Sequence, residues 1–172
     1  MRPAKAALLV VAVLVGNLVG PPVGEAERRR YAEQAERLGV ADRVEITGEL
    51  SDAEFRTRIG AATIGVQLRS VSNGESAGSV ADCLAAGVPT VATALGGVRE
   101  LPDELLVKVE RDVSAEALAE TLENLLDDPA RMAALRAAGL AYAREHSFAR
   151  VAEQLHQMLF LGRSAGKSAE AA

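Results

Sequence analysis

The sequence predicts an α/β protein, an open parallel sheet with helices on both faces. Three observations predict it. Short apolar strand-like runs recur at 8–15, 43–47, 63–68, 88–93 and 105–109. Segments with helix start and stop signals separate them, and that alternation continues to about residue 127, the pattern of parallel strands joined by helical crossovers. The composition is 49% apolar with no Trp, three Phe and two Tyr, so the core is aliphatic.

The first run, Leu8 to Val15, is rich in β-branched residues and does not alternate, as expected of a central parallel strand covered on both faces. Arg2 and Lys5 before the ten-residue apolar stretch Ala6 to Val15 also give it the outline of a signal peptide. The stretch is half of the ~20 residues a spanning helix needs, and the helix that follows fits the start of a βαβ unit. The strand reading is therefore preferred, and with it a cytoplasmic chain. Glu25 to Leu38 reads as a helix stopped by Gly39, with a charged, solvated surface. Arg43 to Thr47 alternates and ends at Gly48, as a short strand does. Ser51-Asp52-Ala53-Glu54 is a capping box opening a helix to about Ala61. Thr63 to Leu68 is the next strand, and Ala77 to Ala86 is helical and stops at Gly87. Val88 to Thr93 is a strand with Pro89 near its start, where a missing amide is tolerated. Gly96-Gly97 makes a turn, and Leu105 to Val109 is the last strand. Ser114 caps a helix with an apolar stripe from Ala117 to Leu126, Pro129 starts another in its first turn, and Ser147 to Leu161 forms the last. Residues 1–161 are expected to form a single domain, and 162–172 a flexible tail.

Several function classes fall away. The net charge of -5 and the scarcity of aromatic side chains argue against a nucleic-acid partner. The single cysteine, Cys83, excludes an internal disulfide framework and a cysteine-cluster zinc site. His146 and His156 show no metal spacing with each other or with Cys83 and suit surface or helix-end roles; Cys83 suits a buried apolar position. No metal or other cofactor is expected, and nothing indicates membrane contact.

Ligands of open parallel sheets bind at the carboxyl ends of the strands. The loops that matter therefore follow Val15, Thr47, Leu68 and Thr93. The loop after Leu68 is the richest. Asn73-Gly74-Glu75 is followed by small residues entering a helix, Ser76, Ala77, Gly78, Ser79 and Val80. Unpaired amides at a helix start bind anions, and small side chains let a phosphate approach. Glu75 either contacts such a ligand or simply favours the positive end of the helix dipole. Asp82, seven positions later in an apolar helix, needs a partner: a ribose diol, a neighbouring Arg or a backbone amide.

The stretch from Glu75 to Pro89, ESAGSVADCLAAGVP, followed by TVATALGGVRE, resembles the donor-binding half of retaining, family-four type glycosyltransferases. The resemblance continues in order through Gly39 to Val44 with Gly48, Leu50-Ser51-Asp52, Ser114 to Leu118, Leu125 to Pro129 and His146-Ser147-Phe148. It implies the Rossmann-like donor domain of the two-domain GT-B architecture, with a helical C-terminal segment. It also implies sugar transfer from a nucleotide-diphosphate sugar to an acceptor hydroxyl, with retention and without a bound metal. In that reading Glu75 is catalytic and contacts the transferred sugar. Gly74, Ser76, Ala77, Gly78, Ser79, Val80 and Gly48 line the donor site, and Asp82 holds the ribose. Two departures stand out. Register on Ala85-Ala86-Gly87-Val88-Pro89 puts Asp82 at the family's second Glu, and Glu75 then falls one residue short of the first. The family's opening strand, its Arg…Lys pair for the donor diphosphate and its acceptor domain are expected to lie before this chain, which would be incomplete on its N-terminal side. The partners implied are a nucleotide sugar and an acceptor-binding domain or subunit. The alternative is a non-catalytic nucleotide or nucleotide-sugar module, or a truncated remnant.

Overall fold

Strand–helix alternation becomes a layered sheet because each strand shows one face to each of two helical layers. The computed structural model describes residues 10–11, 24–47, 50–73 and 77–161. Four strands, β1 (Val10–Val11), β2 (Ile64–Gln67), β3 (Thr90–Thr93) and β4 (Val107–Val109), pair in parallel in the order β1-β2-β3-β4. The helices are α1 (Glu25–Arg37), α2 (Asp52–Ala61), α3 (Gly78–Ala85), α4 (Gly97–Glu100), α5 (Ala115–Leu126), α6 (Pro129–Glu145) and α7 (Phe148–His156). A π-helical turn, Gln157–Leu161, follows α7.

The period of two decides which helix covers which side. Ile64, Val91 and Val109 pack with Leu125 of α5 and Leu135 of α6, and Val66 and Val107 join them. On the opposite face, Ala92 packs with Val80 and Leu84 of α3 and Val98 of α4. All four residues of β3 are buried, as a strand covered on both faces requires. α3 lies close to β2 because position 65 lacks a side chain. A Cβ there would stand 2.8 Å from the Cys83 sulfur. Cys83 is buried beside Ile59, Ala62 and Val88, as an apolar role demands, and burial pushes its thiol up.

The predicted boundaries hold at most helix ends. Ser51 and Glu54 form the capping box reciprocally. Ser114, Asp128 and Ser147 cap α5, α6 and α7 through their side chains. Gly39 and Gly87 both adopt φ +65°, and in each case the next residue's amide reaches back to the helix, Val40 to Ala35 O and Val88 to Cys83 O. This left-handed close of a helix favours glycine.

Two expectations are corrected. The expected strand Arg43 to Thr47 is not one: Arg43 ends a 3₁₀ turn at Ala41–Arg43, and Val44 to Thr47 has no ladder partner among the described residues. Side chains hold it instead, with Arg58 on Glu45 at 2.8 Å and Arg28 donating to Ile46 O at 3.4 Å. Alternation marks a chain with one apolar face, but a strand also needs a sheet edge within reach. The run 8–15 was expected at the centre of the sheet. Its described part, Val10–Val11, pairs with Ile64 and Gly65, and among the described residues it stands at one end of the strand order. The remainder of that run lies outside the described residues, as does the expected tail at 162–172.

Candidate functional site

The carboxyl ends of β2 and β3 meet the start of α3, and polar side chains gather there. Gln67, the last residue of β2, donates from Nε2 to the Ser79 hydroxyl in the first turn of α3. Thr93, the last residue of β3, is buried and accepts the Arg69 amide at 3.0 Å, tying the chain that leaves β2 to the neighbouring strand. The next strand end is drawn in as well, by the Ala94 amide on Val109 O at 2.9 Å. Gly96 then turns at φ 52° and ψ -136°, a conformation open to glycine and strained for other residues, and starts the short α4. Lys108 braces the far end of that helix, with Nζ on Leu101 O at 2.6 Å, Arg99 O at 3.2 Å and the Asp103 carboxylate at 2.7 Å.

The N-cap of α3 is Ala77, whose side chain offers no cap, and among the described residues no side chain is seen to cap this helix. The amides of Val80 and Ala81 both return to Ala77 O, at 3.0 and 3.1 Å. That leaves Gly78 and Ser79 as the amides at the open end of the helix. A Cβ placed on Gly78 would meet nothing within 4 Å among the described residues. The side chain of Val80 points into the core and is buried. Asp82 is exposed, three residues beyond Ser79 and hence on the same side of α3. Partial burial raises its carboxyl pKa, and the positive charge of Arg56 on α2 opposes that shift. Of the partners open to Asp82 from sequence, an Arg is present as a nearby charge and not as a hydrogen-bonded partner among the described residues.

Among the residues singled out from sequence, the structure brings Gly78, Ser79, Val80 and Asp82 onto one short helix with Ala77 as its N-cap, and Val80 packs with Val98 of α4. Gly48, Gly74, Glu75 and Ser76 lie outside the described residues. Sequence reasoning missed Gln67, Thr93 and Lys108. The available signal was a polar residue closing an apolar strand, as in Ile64-Gly65-Val66-Gln67 and Thr90 to Thr93. His146 caps the end of α6, where its Nδ1 lies 2.9 Å from Tyr142 O and its ring stacks on Tyr142 at 3.8 Å. An open groove of about 360 Å³ lies elsewhere, lined by Glu25, Arg28, Arg29, Ala32 and Ile46. It contains none of the residues read as donor-binding.

Residues 7–142 match the family model described as glycosyl transferases group 1. A D-inositol 3-phosphate glycosyltransferase from Catenulispora acidiphila is 33% identical over 147 residues, covering 83% of this chain and 34% of that protein. Sucrose-phosphate synthase from Thermosynechococcus elongatus superposes with a TM-score of 0.63 at 26% identity, over 80% of this chain and 35% of the other. Anabaena HepE, solved with UDP and glucose, superposes at 0.64 with 18% identity, over 77% of this chain and 37% of its own. The chain thus spans about a third of the length of these relatives.

Proposed function

The chain belongs to the group 1 glycosyl transferases, and on that premise we propose that residues 1–161 form the donor-binding half of a retaining GT-B enzyme. The reaction is transfer of a sugar from a nucleotide-diphosphate sugar to an acceptor hydroxyl, completed with an acceptor-binding domain or subunit, in the cytoplasm and without a bound metal. The observation that carries the reading is the start of α3, at the carboxyl ends of β2 and β3, where the N-cap is Ala77 and, among the described residues, nothing lies within 4 Å of a Cβ on Gly78.

There the amides of Gly78 and Ser79 meet the diphosphate, and the helix dipole favours its negative charge. As the glycosidic bond breaks, charge develops on the leaving diphosphate, and fixed donors aimed at it lower the barrier. In this reading the small residues Gly74, Ser76 and Ala77 and the residue Gly48 belong to the donor site, and the buried Val80 fixes the first turn of the helix. Asp82 accepts from the ribose diol, and Glu75 contacts the transferred sugar. The same donor chemistry is met by Anabaena HepE, which binds UDP-glucose in its solved complex.

Titration of the purified chain with UDP and UDP-glucose, by calorimetry or ligand-observed NMR, tests this. Weak binding of both is expected. Asp82→Ala should lose about tenfold or more, as a hydrogen bond to a charged group contributes roughly 1.5–3 kcal/mol. Glu75→Ala should weaken UDP-glucose and leave UDP nearly unchanged. A folded wild type that binds neither ligand removes the site assignment. The 172 residues alone are expected to show little or no transferase activity, because positioning of both substrates supplies much of the rate.

A further inference from the structure

We propose that Gln67 is a positioning residue for the donor diphosphate, acting through the hydroxyl of Ser79; the inference rests on the donor-site reading above. β2 and α3 touch in two layers. Gly65 meets Cys83, and two residues along the strand and four back along the helix, Gln67 meets Ser79. The first layer is apolar and close. The second is polar, although Ser79 is only 8% exposed and an apolar pair would pack there without the cost of desolvating an amide and a hydroxyl.

The direction of the hydrogen bond gives that layer a purpose. Nε2 of Gln67 donates, so Ser79 Oγ accepts and keeps its own proton to donate. A hydroxyl fixed this way in the first turn of a helix adds a third donor to the amides of Gly78 and Ser79. It is aimed by a neutral side chain that brings no negative charge near an anion. Accepting one hydrogen bond also polarises the hydroxyl toward giving the next. The ligand group that completes this set is a phosphate oxygen.

The test compares UDP with uridine on the full chain, so that the diphosphate contribution is read separately from the base and ribose. Ser79→Ala should weaken UDP about tenfold, the loss expected for a hydrogen bond to a charged group, and leave uridine unchanged. Gln67→Ala should weaken UDP about threefold, as for a neutral hydrogen bond, again sparing uridine, and should add nothing in the Ser79→Ala background. Gln67→Glu, nearly isosteric, should weaken UDP more than Gln67→Ala, since a carboxylate takes the Ser79 proton and repels the phosphates. Circular dichroism and thermal melts establish that each variant folds. Should Gln67→Ala not fold, Gln67→Met and Gln67→Glu decide on the same two ligands. Equal losses of UDP and uridine would show a merely structural role and overturn the inference. So would additivity of the two alanine variants, or wild-type binding of UDP by every Gln67 variant. A folded wild type that binds no UDP overturns the donor-site reading and this inference with it, whereas wild-type binding with unaffected Gln67 variants overturns this inference alone.

Discussion

Two consecutive helices meet opposite fates. α6 contributes to the clusters on both faces of the sheet: Met132 and Leu135 join the one around Ile64 and Val91, and Ala138 and Tyr142 join the one around Val80 and Leu84. α7, which starts three residues after α6 ends, carries the cleaner apolar stripe, Phe148, Val151 and Leu155, continued by Met158, Leu159 and Phe160. Yet Phe148 is 96% exposed, and among the described residues nothing covers that face. The difference lies in what permits approach. Gly139 of α6 rests on Leu84 of α3, where an added Cβ would stand 3.2 Å from the leucine side chain and 3.4 Å from its backbone. Amphipathic spacing states which side of a helix favours burial. A missing side chain at the contact decides how close two helices come.

The contrast can be broken from either side. The largest effect is expected for Leu84→Ala, which empties the centre of the α3–α6 contact and should cost about 2–5 kcal/mol in denaturant unfolding. Gly139→Val attacks the same contact by overfilling and should cost about 1–3 kcal/mol, with a lowered melting temperature. Leu155→Ser, on α7, should stay within about 0.5 kcal/mol of wild type, as for an exposed position without a partner. A loss as large as that of Gly139→Val would mean that the α7 face is covered in solution. The smallest effect concerns Glu45, whose pKa is lowered by its hydrogen bond from Arg58. A depressed carboxyl contributes stability above its unfolded pKa, and the contribution fades as pH falls through the lower folded value. Both side chains are exposed, so Glu45→Gln should flatten the acid limb of the stability curve only slightly, and added salt should erase the difference.

Much of this architecture was legible beforehand where local chemistry and tertiary need agreed. The capping box at Ser51, the glycine stops at Gly39 and Gly87 and the strand at Thr90 to Thr93 each rest on a local signal that the packing then uses. Val44 to Thr47 misled because alternation reports one apolar face and says nothing of a partner strand. The run at 8–15 misled because lack of alternation reports burial on two faces, not place in the strand order. At the candidate site, the small residues from Ala77 to Ser79 were readable as the start of a helix, and the structure starts α3 there. Gln67 was not, because its role depends on the register between β2 and α3, which no single segment encodes.

The packing of Gly65 against Cys83 has a practical corollary. The chain has one thiol, and it is buried between α3 and the sheet, where Gly65 lets the helix approach. An alkylating reagent reaches it only when the helix lifts, so the rate of labelling is a clock for the opening of α3. A ligand held at the start of the helix should slow that clock in proportion to its occupancy, without any probe being attached to the protein.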